Sequence, residues 1–72
     1  MPYKYETLGR HDLDKALLDP PFGPGFSQEE VDKAETMEVW YSLFSDPGED
    51  YTEFRLVAKD GSIVATQKIA GY

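Results

Sequence analysis

The 72-residue chain has no cysteine and only one histidine, and these scarcities exclude several kinds of chemistry. Without cysteine there is no disulfide, thiolate metal site or cysteine nucleophile. Histidine is the side chain that ordinarily exchanges protons near neutral pH, and a lone His11 beside two aspartates does not form a convergent catalytic site. We therefore predict that the protein is not an enzyme and has no catalytic residue, metal site or cofactor.

Long apolar runs and an excess of positive charge are also missing. No run is long enough to span a bilayer, and the first residues lack the basic start and apolar stretch of a signal peptide. With the lack of cysteine, this predicts a cytoplasmic protein with no membrane contact. The chain has 7 basic and 14 acidic residues, and its net charge of −7 argues against direct binding to nucleic acid phosphates.

The remaining sequence predicts one small domain, residues 1–72, organised around residues 36–70. Asp60-Gly61 stands between two apolar runs, which predicts a hairpin with a two-residue type I′ loop. This turn sets Leu56 opposite Ala65 and places two opposite charges, Glu53 and Lys68, across the hairpin.

An earlier Pro47-Gly48 pair predicts another chain reversal, with residues 46–49 as its loop. That loop sets Tyr41 opposite Phe54 and Trp40 opposite Arg55, where the guanidinium can stack on the indole. Side chains alternate between the faces of a sheet, so both turns predict the same core face. Its predicted members are Met37, Val39, Tyr41, Leu43, Phe54, Leu56, Ala58, Ile63, Ala65 and Ile69.

Two short helices are predicted before the strands. The first covers residues 10–18, with Asp12 as its cap, and ends before a proline-rich and glycine-rich connector, residues 19–26. We expect Phe22 and Phe26 to pin this connector to the domain, because large aromatic side chains are usually buried.

The second helix has a clearer start. Ser27 and Glu30 form a capping box, which predicts a helix from Gln28 to about Glu35 and a change to strand near Thr36. The alternating residues 3–8 suggest an extra strand or a strap, which we leave out of the predicted fold. That fold is α+β: a three-stranded antiparallel β-meander with two short N-terminal helices packed on one face.

The second face of the predicted sheet combines aromatic, branched and basic side chains, which are typical of interface centres. We therefore predict a non-catalytic protein-binding module with another protein, rather than nucleic acid or a membrane, as its partner. Two alternatives stay open: N-terminal segments that cover both sheet faces, and a structural domain that homodimerises through its sheet or a sheet edge. The predicted partner-binding residues are Trp40, Phe44, Tyr51, Arg55, Val57 and Val64.

The acidic residues suggest a more specific version of this hypothesis. A carboxylate-rich surface attracts a basic partner, and an inhibitor of a nucleic-acid-binding protein uses such carboxylates in place of phosphates. The competing explanation is solubility, together with favourable interactions of acidic groups with the start of a helix. The predicted acidic surface comprises Glu29, Glu30, Asp32, Glu38, Asp46, Glu49 and Asp50.

Overall fold

A computed structural model of the chain describes residues 2–20, 22–42 and 51–70. In these ranges the chain forms an antiparallel sheet with the strand order β1-β2-β3-β4 and two short helices. The prediction of an α+β fold with an antiparallel sheet is confirmed, but the predicted number of three strands is wrong. The strands are β1 (Pro2–Leu8), β2 (Thr36–Ser42), β3 (Tyr51–Val57) and β4 (Ile63–Ala70), and the helices are a 3₁₀ helix (Arg10–Leu17) and an α-helix, α1 (Gln28–Asp32).

The strand missing from the predicted fold is β1, which forms an edge of the sheet. It pairs with β2 along its length, from Pro2 opposite Ser42 to Leu8 opposite Met37. The pairing register shifts around Tyr5, which is left as the extra residue of a β-bulge. No short turn connects β1 to β2, and a pairing between strands so far apart is not specified by local sequence signals.

The 3₁₀ helix occupies nearly the range predicted for the first helix. Gly9 lies at its N-cap, and the Gly9 carbonyl accepts a 3.0 Å hydrogen bond from the backbone N–H of Asp12. The prediction of Asp12 as the cap is therefore wrong, because Asp12 already lies inside the first turn. This helix buries Leu13 and Ala16 against the sheet.

The capping box predicted for α1 is confirmed. The Ser27 hydroxyl accepts from the Glu30 N–H at 3.2 Å, and the Ser27 N–H donates to the Glu30 carboxylate at 2.9 Å. The helix ends at Asp32, earlier than predicted. By Glu35 the chain has reached the sheet, since the Glu35 N–H donates to the carbonyl of Val57 at 2.8 Å, and β2 begins at Thr36 as predicted.

The side chain of Arg10 connects the two helices by hydrogen bonds to backbone carbonyl groups. Its Nη1 donates to the carbonyl oxygens of Val31 at 2.8 Å and Ala34 at 3.0 Å. The Val31 carbonyl also accepts from the Ala34 N–H at 3.0 Å, so the guanidinium adds a second bond near the negative end of α1, where a positive charge is stabilising. This contact fixes the start of the 3₁₀ helix beside the end of α1.

The register of β2 on β3 differs from the prediction by two residues. Tyr41 lies opposite Thr52 rather than Phe54, and Val39 lies opposite Phe54. Because side chains alternate along a strand, an offset of two residues leaves every side chain on its predicted face. The predicted pairings of Leu43 and Phe44 and the predicted loop at 46–49 lie outside the described residues.

The β3–β4 hairpin turns where predicted but with a different loop. Gly61 donates from its N–H to the Ala58 carbonyl at 2.9 Å, and Ala58 donates to the Ser62 carbonyl at 2.8 Å, which encloses three loop residues. Gly61 has a φ of 91°, whereas Asp60 is not among the residues with positive φ. The predicted type I′ turn is therefore wrong, because it needs positive φ at both positions.

A register shift beyond the loop restores the predicted pairing. Val57 lies opposite Ile63, and Leu56 lies opposite Ala65 as predicted, so Val64 is the extra residue between them. The shift exchanges two predicted orientations. Ile63, predicted in the core, is 54% exposed, and Val64, predicted on the opposite face, packs against the core.

The core lies between one face of the sheet and the helical segments. The central sheet residues of the predicted core face are buried, so that part of the prediction is confirmed. Neither helix in the described part of the chain has the length and apolar character needed to cross a lipid bilayer. The buried cluster comprises Leu13, Ala16, Phe26, Val31 and Ala34 from the helical side and Met37, Val39, Phe54 and Leu56 from the sheet.

Candidate functional site

The sheet face opposite the core, here called the outer face, carries most of the residues predicted to bind a partner. Trp40 lies opposite Glu53 rather than opposite Arg55. The predicted stacking is nevertheless present, because the Arg55 guanidinium reaches diagonally to 4.3 Å from the centre of the Trp40 ring. The described residues of the outer face include Lys4, Glu38, Trp40, Tyr51, Glu53, Arg55 and Lys68.

The indole of Trp40 is also fixed at its polar edge. Its Nε1 donates to Glu38 at 3.0 Å, and Lys4 of β1 lies 3.9 Å from the same carboxylate. On the other side, Arg55 forms a 3.0 Å ion pair with Glu53. These contacts hold the half-buried Trp40 within a network of opposite charges.

The rest of the outer face follows the same arrangement. The Lys68 ammonium lies 4.9 Å from the centre of the Tyr51 ring. Glu53, opposite Lys68, is only 8% exposed. Charges and aromatic rings on this face are therefore already engaged with each other, as on a sheet surface suited to water.

The other predicted partner-binding residues do not join this network. Val57 is half-buried at the end of β3, Val64 packs on the core side, and Phe44 lies outside the described residues. Both helices pack on the core face. Among residues 2–20, 22–42 and 51–70, no segment covers the outer face, so these helices do not form the two-sided cover that we considered from the sequence.

The predicted acidic residues do not form one patch. On α1, Glu29 lies 3.4 Å from Lys33, Asp32 accepts a 2.8 Å hydrogen bond from Gln28, and Glu30 belongs to the capping box. Glu38 lies on the outer face beside Trp40. Asp46, Glu49 and Asp50 lie outside the described residues.

The core face has a cavity that the helical segments leave open. Its volume is about 200 Å³. Drug-sized ligands usually occupy pockets of about 300–1,000 Å³, so this cavity suits one large side chain better. Its lining comprises Leu8, Met37, Val39, Tyr41 and Phe54 of the sheet, with Glu6, Lys15, Phe22, Gly23 and Pro24 around them.

Aromatic side chains extend from this cavity along the sheet. The Tyr41 ring, which lines the cavity, lies 4.8 Å from the Tyr5 ring and 6.0 Å from the Tyr3 ring, measured between centroids. Phe22 also lines the cavity and is 81% exposed. Together Phe22, Tyr41, Tyr5 and Tyr3 form what we call the aromatic strip.

The exposure of Phe22 corrects part of the sequence prediction. Phe26 is buried, with 7% exposed, and pins the connector as expected, but Phe22 does not. Three of the five exposed large apolar side chains among the described residues, Tyr3, Tyr5 and Phe22, belong to the aromatic strip. In the described part of the chain, the strip therefore holds most of the exposed large apolar side chains, and such concentrations often mark binding sites.

The loop that carries Phe22 is held firmly by its backbone. The Phe22 N–H donates to Asp19 at 2.9 Å, and the Gly25 N–H donates to Leu18 at 2.8 Å. Gly25 has a φ of 74°, a conformation that favours glycine. A ring carried by such a loop loses little backbone freedom on binding.

Two charged residues of opposite sign lie at the rim of the cavity. Glu6 projects from β1, and Lys15 projects from the 3₁₀ helix. Neither side chain takes part in an ion pair or hydrogen bond within the described ranges. Both charges remain available to a partner that covers the cavity.

Sequence reasoning missed this site because it requires β1 in the sheet. The signal was present as tyrosines in an alternating N-terminal segment, but their neighbour Tyr41 is far along the chain.

A second depression, between Ser27–Lys33 and the β3–β4 turn, opens broadly to solvent and is lined mostly by polar residues and capping groups. In the described part of the chain no group of three or more acidic or histidine side chains is placed to hold a metal ion.

Comparison with known protein families, with curated proteins and with solved structures finds no match for this chain.

Proposed function

We propose that the protein is a non-catalytic module that binds another protein through the aromatic strip and its cavity. The observation that carries this proposal is the 81% exposure of Phe22 on a hydrogen-bonded loop beside an apolar cavity. Exposed aromatic rings on rigid supports are characteristic anchors at interface centres. The partner inserts a large apolar side chain into the cavity and packs against Phe22.

The aromatic strip is favoured over the outer face because exposed side chains at the strip are free to contact a partner. On the outer face, Trp40 already binds Glu38 and stacks with Arg55, so a partner must displace existing contacts or pack over them. At the strip, Phe22 is open, and the charges of Glu6 and Lys15 have no partner among the described residues. Docking to the outer face stays a prediction from the sequence.

The inhibitor version of the hypothesis has less support. A phosphate mimic needs its carboxylates along one surface, whereas Glu38 and the exposed acids of α1 lie on opposite sides of the sheet. Its test is the dependence of partner affinity on salt, because attraction between unlike charges is screened. Affinity for a basic partner that does not change with salt contradicts this version.

The proposed function is tested by selecting peptide ligands with the purified protein and comparing variants. We expect the selected peptides to share a large apolar residue and to bind the Phe22→Ala variant about tenfold or more weakly. Lys68→Ala removes an exposed side chain from the outer face and serves as the matched control, with affinity unchanged. Peptides that lose affinity with Lys68→Ala and keep it with Phe22→Ala contradict the proposal.

A further inference from the structure

The aromatic strip places a projecting ring and a cavity next to each other on the same surface. Phe22 projects at the rim, and the cavity of about 200 Å³ beside it has an apolar lining from the sheet. Two copies related by a two-fold axis present the same patch to each other, so a projection on one copy meets the cavity of the other. A surface with both features side by side is suited to such reciprocal contact.

The charges at the cavity rim are also self-complementary. Glu6 and Lys15 carry opposite signs and have no charged partner among the described residues. In a two-fold dimer, Glu6 of one copy can face Lys15 of the other, and the same pair then forms twice. The rim is thus electrically balanced in a chain whose net charge is −7, which reduces the repulsion between two copies at this place.

Self-association through this surface also suits the size of the chain. A domain of 72 residues buries a limited core, and small domains often gain stability by oligomerisation. The backbone hydrogen bonds of Phe22 and Gly25 fix the backbone of the loop that carries the ring before binding. Less conformational freedom is therefore lost when the dimer forms.

We infer that the partner of the aromatic strip is a second copy of this chain, with Phe22 of each copy inserted into the cavity of the other. This inference rests on the proposed function and specifies its partner. The resulting dimer is isologous and involves the core-side surface rather than the outer face or the β4 edge.

The test is sedimentation equilibrium of the full chain and its variants over a wide range of concentration. We expect a reversible dimer whose dissociation constant rises about thirtyfold in Phe22→Ala, an effect of the size of an interface hot spot. Ile63→Ala is the matched control because Ile63 is exposed but lies on β4, away from the cavity, and it leaves the dimer unchanged. Since Phe22 is mostly exposed, its replacement leaves the fold intact.

Charge exchange provides a second measurement. Glu6→Lys places two lysines together across the interface, and Lys15→Glu places two glutamates together, so each single variant weakens the dimer. The double variant restores the opposite pairing and recovers most of the affinity. Weakening that the double variant does not recover overturns the inference.

The remaining outcomes separate this inference from the proposed function. A protein that is monomeric at every concentration, or a dimer weakened by Ile63→Ala and not by Phe22→Ala, overturns the second copy as partner. Peptide selection on that same protein then decides the function. If the selected peptides depend on Phe22 for binding, the aromatic strip binds a different protein. If the protein is monomeric and no such peptides are found, both the proposed function and this inference are contradicted.

Discussion

Arg55 lies over the ring of Trp40 although the two residues are diagonal neighbours, with the guanidinium carbon 4.3 Å from the ring centre. The same guanidinium pairs with Glu53 at 3.0 Å, so one side chain connects an aromatic ring to a nearly buried carboxylate. These contacts of Arg55 with Trp40 and Glu53 stabilise the sheet.

Replacing Arg55 with Ala is therefore expected to lower the free energy of unfolding by about 1–2 kcal/mol, the sum of a cation–π contact and a partly exposed ion pair. Urea denaturation followed by Trp40 fluorescence measures the change. Lys59→Ala is the control, because Lys59 is exposed at the hairpin turn and its side chain makes no described contact. Equal losses in both variants contradict this role for Arg55.

Thr52 buries a hydroxyl group for which the described residues provide no hydrogen-bond partner. An unsatisfied buried polar group costs about 1–3 kcal/mol, and removal of the group relieves that cost. We expect Thr52→Val, which keeps the branched shape, to raise the free energy of unfolding by about 1 kcal/mol. Thr66 is an exposed residue of β4, and Thr66→Val is the control, which changes the free energy of unfolding by less than about 0.5 kcal/mol. A destabilised Thr52→Val variant contradicts the prediction.

Gly23 occupies a position where the loop passes against the 3₁₀ helix. A β-carbon added there lies 2.8 Å from the carbonyl oxygens of Lys15 and Leu18, which is too close for backbone atoms to accommodate without movement. We expect Gly23→Ala to lower the free energy of unfolding by about 1–3 kcal/mol, as overpacking does. Gly9→Ala has open space and no positive φ, so the change expected in the same denaturation assay is within about 0.5 kcal/mol. Similar values for both variants contradict a close approach at Gly23.

The Asp60 carboxylate accepts hydrogen bonds from the Ser62 hydroxyl at 2.7 Å and the Ser62 N–H at 3.0 Å. These bonds, the hydroxyl first, hold the pKa of Asp60 below its ordinary value of 3.8. The ionised Asp60 carboxylate therefore stabilises the folded state fully at pH values above the pKa that Asp60 has in the unfolded chain. This stabilisation is lost as the pH falls through the lower pKa that Asp60 has in the folded chain.

Ser62→Ala is expected to raise the pKa of Asp60 toward 3.8 while leaving it lowered by the remaining N–H bond. A pH titration of the side-chain carboxyl resonance by NMR measures the shift. Ser27→Ala is the control, because the Ser27 hydroxyl bonds Glu30 and makes no hydrogen bond to Asp60, so the pKa of Asp60 stays unchanged. No rise in the Ser62 variant means that the hydroxyl does not stabilise the carboxylate.

The core face was predictable from sequence because alternation tolerates errors in strand register. The predicted β2–β3 register differs from the observed one by two residues, yet Val39 and Phe54 lie on the face predicted for them. The β3–β4 pairing was right beyond Leu56 because the extra residue at Val64 compensates for the longer loop. Between the turn and Val64 the extra residue has no such effect, so the predicted orientations of Ile63 and Val64 are the reverse of the observed ones.

The aromatic strip was not predictable because it depends on contacts between distant parts of the chain. Tyr5 and Tyr41 meet only when β1 pairs with β2. The general tendency of aromatic side chains to be buried gave the right result for Phe26 and the wrong one for Phe22. Two phenylalanines in one connector carry the same local signal, and only the path of the folded backbone distinguishes them.

The position of β1 has a consequence for how the chain is assembled during synthesis. β1 leaves the ribosome before the rest of the sheet, and its hydrogen-bonding partner begins only at Thr36, after both helices. Pairings over such sequence distances form slowly because the intervening chain must first be closed into a loop. The cavity also needs Phe54 from β3, so a nascent chain that has not reached this residue presents Phe22 and the N-terminal tyrosines before their cavity exists. The surface proposed for binding can therefore be completed only after β3 has been synthesised.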